Sequence, residues 1–141
     1  MVSTLAGLLG GLLGAIVTGV AAMVATDEPI PATVVWAKYL GDGVPAGYER
    51  RGAVIHLFYG AVAGALFVVL AGGAGLGIGT LGGALLWAVG WSAVLLVVAV
   101  GFWQRVMVGG VPEPRPLAEL AGGHLVYGVV LGLTVYALGG L

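Results

Sequence analysis

The chain has 141 residues, of which 60% are hydrophobic, and five basic and six acidic residues are its only formal charges. A soluble domain carries about a quarter charged residues, so this chain could not cover itself for water, and a mean hydropathy of +1.14 points to a polytopic membrane protein. A net charge of −1 provides no basic field for nucleic acid, and the lack of cysteine excludes disulfides, thiolate metal sites and cysteine nucleophiles.

Four uncharged apolar stretches follow in chain order, at about 3–26, 52–71, 80–104 and 117–141. Each supplies the ~20 residues that a helix needs to cross a ~30 Å hydrocarbon core. The runs are continuous rather than alternating, so helices are expected and a β-barrel is not. No basic residue precedes the first stretch, which therefore reads as a span and not as a cleavable signal peptide. The expected fold is all-α, a single membrane domain over 1–141.

The connections are unlike one another. Residues 72–79 (GGAGLGIG) form a short uncharged turn, whereas 27–51 and 105–116 are polar and proline-bearing. All charges lie in or beside the latter two: Asp27, Glu28, Lys38, Asp42, Glu49, Arg50, Arg51, Arg105, Glu113, Arg115 and Glu119. The positive-inside rule then places both polar loops in the cytoplasm and both termini outside a plasma membrane. Within the first loop, Pro31 to Leu40 is expected to form a short amphipathic helix, with Pro31 at its first position. Ala32, Val35, Trp36 and Tyr39 form its apolar face at i, i+3, i+4, i+7. Trp36 and Tyr39 are the interfacial aromatics, and the helix reads as a connector lying on the bilayer.

The second and fourth spans share a pattern. His56-Leu57-Phe58-Tyr59-Gly60-Ala61-Val62-Ala63-Gly64 and His124-Leu125-Val126-Tyr127-Gly128-Val129-Val130-Leu131-Gly132 both read H-L-x-Y-G-x-x-x-G, at an offset of 68. The first and third spans align more weakly at an offset of 76, Gly7 with Gly83 and Gly14 with Gly90. The chain thus reads as two helical hairpins, repeat 1 at 1–71 and repeat 2 at 80–141. Two spans per unit keep both copies in the same orientation, as in parallel repeats. The four-span layout, the segment Trp36-Ala37-Lys38-Tyr39 and the H-L-x-Y-G-x-x-x-G spans resemble a group of small membrane proteins common in halophilic archaea. That resemblance implies a four-helix membrane fold over nearly the whole chain and no particular activity.

There are 28 glycines, far above the usual ~7%. In lipid, helices gain no hydrophobic free energy by pairing, so close backbone approach at small residues replaces it. Gly7, Gly11, Gly14, Gly60, Gly64, Gly128 and Gly132 are the expected packing positions. Trp87 and Trp91 stand where the first span has Gly11 and Ala15, and are expected to fill grooves elsewhere or to face lipid or a partner.

The spans hold no Asp, Glu, Lys or Arg, which argues against a catalytic triad, an acidic proton relay and a carboxylate metal site. The chain is therefore read as not an enzyme, with no cofactor and no metal. His56, Tyr59, His124 and Tyr127 form the one candidate polar cluster. The two helices that carry it are expected to be neighbours. Both imidazoles are expected to face inward, bonded to Tyr hydroxyls, loop carbonyls or water. The leading expectation is a structural or accessory membrane subunit whose partners are the lipid bilayer and copies of itself or other membrane subunits. One alternative is a b-type haem electron-transfer subunit with His56 and His124 as axial ligands; another is a small channel for a neutral or anionic solute.

Overall fold

The computed structural model describes residues 2–25, 29–110 and 113–139, without the side chains of 106–108. It is all-helical among these residues. In order come α1 (Thr4–Ala25), α2 (Pro31–Leu40), α3 (Glu49–Gly73), α4 (Leu81–Val98), a π-helical continuation of α4 (Ala99–Val108) and α5 (Pro114–Leu138). Four helices are long and apolar enough to cross a membrane: Thr4–Ala25, Glu49–Gly73, Leu81–Arg105 and Pro114–Leu138. Thr26, Asp27, Glu28, Gly140 and Leu141 lie outside the described residues.

Helix ends depart from the expected spans where polar residues can still be helical. α3 starts at Glu49 and α5 at Pro114, because charge bars a residue from hydrocarbon and not from a helix that projects beyond it. Pro114 takes the first turn, where its missing N–H costs nothing. The helix of the third span does not stop at Gln104 but runs on to Val108 with wider π winding. Thr80 caps α4, its Oγ1 accepting from the Gly83 N–H at 3.1 Å.

The bundle is organised around α1, which packs against α3 on one side and α5 on the other. Two glycine pairs on adjoining faces allow this. A Cβ on Gly11 would collide with the Gly60 carbonyl oxygen, and one on Gly64 with that of Gly7. On the other face a Cβ on Gly14 would stand 2.8 Å from Tyr127 Cδ2, and one on Gly10 3.1 Å from Leu131 Cδ1. α5 then meets α4 through its own pair: a Cβ on Gly128 would lie 2.6 Å from Ser92 Oγ, and one on Gly132 2.9 Å from the Ala84 carbonyl. All seven glycines expected to mediate packing therefore sit against another helix.

The spatial order is α3–α1–α5–α4, and α3 and α4 scarcely touch. The expectation that α3 and α5 are neighbours needs correction. α1 is wedged between them, because its glycines admit a helix on each of two faces. Trp91 reaches across the loose α3–α4 seam, its Nε1–H donating to the Ala63 carbonyl at 3.1 Å. Trp87 stays 40% exposed. The core comprises Ala63, Phe67, Val68, Ala71, Ile78, Ala88, Leu95, Tyr127, Leu131 and Val135. Large apolar side chains such as Val24, Phe58 and Val97 project outward, the reverse of a water-soluble bundle.

α2 forms over the expected residues but packs on a different face. Thr33 and Ala37 are buried, whereas Tyr39 is exposed and Ala32 and Val35 are half-buried. The reason is Gly52 of α3: a Cβ there would meet the Thr33 side chain and, at 2.6 Å, its Cα. Backbone-level contact seats the small residues Thr33 and Ala37 against α3, leaves Val34, Val35 and Trp36 half-buried and turns Tyr39 and Leu40 outward.

Gly60→Leu and Gly128→Leu are each expected to destabilise by about 1–3 kcal/mol through overpacking. Gly90, with nothing within 4 Å of an added Cβ, should accept leucine with a change within about 0.5 kcal/mol. Thermal unfolding of the three variants in detergent checks the ordering.

Candidate functional site

The candidate residues lie in the half of the bundle nearest the charged loops. His56 sits two turns into α3, on the side facing α1. Its Nε2–H donates to the Ala15 carbonyl at 3.0 Å. That carbonyl already accepts within α1 and offers its second lone pair. Thr18 Oγ1 lies 3.5 Å from the same nitrogen and donates to the Gly14 carbonyl at 2.9 Å. Beneath the ring is Gly19, where a Cβ would stand 3.5 Å from His56 Cδ2, an ordinary contact.

His124 turns back on its own helix, Nδ1–H donating to the Leu120 carbonyl at 2.9 Å. Both imidazoles are partly buried. Their acceptors are helix carbonyls, not the Tyr hydroxyls, loop carbonyls or water expected from the sequence. The physical reason is proximity: each ring reaches a main-chain oxygen of α1 or α5 within its own turn or the facing one.

The two tyrosines of the repeated motif behave differently. Tyr127 is buried, with its ring over Gly14 and its hydroxyl donating to the Gly60 carbonyl at 2.7 Å. This bond joins α5 to α3 across the edge of α1. Tyr59 makes no corresponding bond to Gly128. Its ring meets Trp103 of the π-helical segment edge-on, with centroids 6.3 Å apart, and Trp103 meets Phe102 at 5.7 Å. The loose α3–α4 seam leaves Tyr59 without a facing helix carbonyl. Thus His56, Thr18 and Tyr127 are drawn into one hydrogen-bonded region around α1, while Tyr59 belongs to an aromatic group on the opposite side.

At the charged end, Arg51 stacks on two rings, its guanidinium 5.6 Å from the Trp36 centroid and 5.2 Å from that of Tyr48. Trp36 Nε1 is buried without an acceptor among the described residues. Tyr39 is half exposed under the Lys38 ammonium, 5.3 Å from its ring centroid. Arg115 pairs with Glu119 at 3.0 Å on the α5 surface. Sequence reasoning missed the roles of Thr18, Gly52, Tyr48 and Arg51. No periodicity marks them, because Thr18, Gly52 and Arg51 each meet a partner in a different helix and Tyr48 stands just outside α3, where Arg51 stacks on it.

His56 Nε2 carries a proton in its bond to the Ala15 carbonyl. A bis-imidazole haem site would need that ring to turn and the bond to break. No group of three or more His, Asp or Glu side chains stands together among the described residues. No protein family, curated protein or solved structure matches the chain.

Tyr127→Phe leaves a buried Gly60 carbonyl without its extra donor and should cost about 0.5–1.5 kcal/mol. Tyr59→Phe removes no hydrogen bond among the described residues and should fall within about 0.5 kcal/mol of the parent. Paired thermal melts in one detergent distinguish the two.

Proposed function

We propose that the chain is a small non-catalytic integral membrane protein, a structural or accessory subunit that associates with itself or with a larger membrane assembly. The observation that carries this reading is the destination of its intramembrane hydrogen bonds. Thr18, His56, Trp91, Ser92, His124, Tyr127 and Thr134 each donate to a main-chain carbonyl. Polar groups that serve a substrate must be presented to it, and in hydrocarbon a group without a partner is costly. Here they tie helices together or satisfy themselves on their own helix.

The duplicated-hairpin reading belongs to this proposal, and packing supports it. Gly60 faces Ala15 and the Gly11 carbonyl, and Gly128 faces Ser92 and the Ala88 carbonyl; Gly64 faces the Gly7 carbonyl, and Gly132 that of Ala84. Gly7, Gly11 and Ala15 thus correspond to Ala84, Ala88 and Ser92. That register is one residue beyond the sequence alignment. In it, Gly10 and Gly14 of α1 correspond to Trp87 and Trp91 of α4. The glycines close the α1–α5 seam and the tryptophans hold the α3–α4 seam open. One hairpin pair is therefore tight where its symmetry mate is not, and a further helix from a partner is the natural complement to a seam that lacks one. The resemblance to the small four-span proteins of halophilic archaea is compatible with this role. α2 is read as the interfacial connector on the cytoplasmic side, with both termini outside.

Two experiments test the proposal. Native mass spectrometry from mild detergent should find the chain in a homo-oligomer or bound to other membrane subunits; a monomer at every detergent concentration rejects it. A reduced-minus-oxidised Soret and α-band signal, lost in His56→Ala and His124→Ala, would replace it with the haem-subunit reading. Orientation is checked separately. A cysteine at Gly75 should react with an impermeant thiol reagent from outside and one at Gly43 should not, since all Lys and Arg lie at the other end.

A further inference from the structure

An outward-facing cleft of about 160 Å³ lies between α1 and α3 beneath the start of α2. Ala15, Gly19 and Met23 form its α1 wall, and Ala53, His56 and Leu57 its α3 wall. Apart from the His56 ring the lining is hydrocarbon, and the Nε2–H of that ring is already bonded to Ala15. An apolar recess of this kind does not hold ordered water. Where the chain crosses a bilayer, the matter in contact with such a recess is a lipid chain.

Two observations make the recess more than a surface irregularity. The first is Gly19. The glycines at 7, 11, 60 and 64 are each required by a helix backbone against them, but a Cβ at 19 would meet only the His56 ring at ordinary contact distance. Helix packing does not demand glycine there, and the missing side chain leaves the floor of the cleft unfilled. The second is Arg50, at i−3 from Ala53 and i−7 from Leu57, so on the same side of α3 as the cleft. Seven residues of helix place it about 10 Å above Leu57 toward the charged end. That is where the phosphate of a lipid would lie when its chain occupied the cleft. Among the described residues Arg50 has no ion pair, whereas Arg51 is stacked on Trp36 and Tyr48 and Arg115 is paired with Glu119.

We propose that the α1–α3 cleft binds one acyl chain of an anionic phospholipid, with Arg50 holding its phosphate. The site is independent of whether the chain has protein partners. Hydrocarbon contact supplies the seat, and the guanidinium supplies the preference for a net negative headgroup.

The test uses the full chain purified in a mild detergent, with phosphatidylglycerol and phosphatidylcholine of equal chain length as probes. Native mass spectrometry counts the lipids retained. The parent should retain one phosphatidylglycerol in about fivefold preference to phosphatidylcholine, the effect of roughly one basic side chain at an anionic headgroup. Gly19→Leu, which fills the cleft from a position that tolerates a side-chain root, should lose retention of both lipids while its melting temperature in detergent stays near the parent's. Arg50→Gln should retain both lipids equally. Equal retention of the two lipids by the parent, or undiminished retention by Gly19→Leu, overturns the proposal. If Gly19→Leu proves unstable, Ala53→Leu fills the opposite wall and must show the same loss.

Discussion

Direct contact between helix backbones at glycine is the interaction on which the rest of this molecule depends. In hydrocarbon, a leucine on a helix gains nothing by leaving lipid for another helix, so the apolar content of the spans cannot itself assemble them. What remains is dispersion at close range, the reach of carbonyl oxygens and the few polar side chains. Glycine brings all three into range. At Gly11 and Gly64 the facing backbones leave no room for even a methyl group.

α1 shows how far this principle carries. Its two glycine pairs, Gly7 with Gly11 and Gly10 with Gly14, lie three residues and so about 60° apart around the helix, so it presents two narrow grooves instead of one. It therefore takes α3 and α5 at once and becomes the centre of the bundle. Close approach then makes main-chain carbonyls available to side chains. His56 reaches Ala15 and Tyr127 reaches Gly60. Both hydrogen bonds are consequences of glycine packing rather than independent sources of order. α4 lacks the second groove. Its tryptophans keep α3 at a distance, and a single indole N–H bridges the gap.

The same contrast separates glycines that hold the bundle together from glycines that do not. Those at 60 and 128 are pressed against other helices, whereas Gly90 stands open and Gly19 borders a cleft. A G-x-x-x-G spacing therefore marks a surface capable of close approach, and the facing helix decides whether it is used. Thr33 on Gly52 makes the point outside any such spacing.

Much of the architecture was legible in the residues. Length and apolarity determine the four spans, because a helix satisfies its own backbone in lipid, and the clustering of every charge in or beside two segments determines which ends of the helices lie together. Pro31 and the pattern after it determined α2 to the residue. The seven packing glycines were likewise readable, since their spacing is intrinsic to one helix. The tertiary structure alone decided which helix each glycine meets, and hence that α1 separates α3 from α5. It also decided which face of α2 is buried, that Tyr127 bonds across the bundle while Tyr59 does not, and that His56 turns to Ala15. These outcomes depend on how two surfaces fit at distances near 3 Å. A periodicity read along one helix carries no information about the shape of the other.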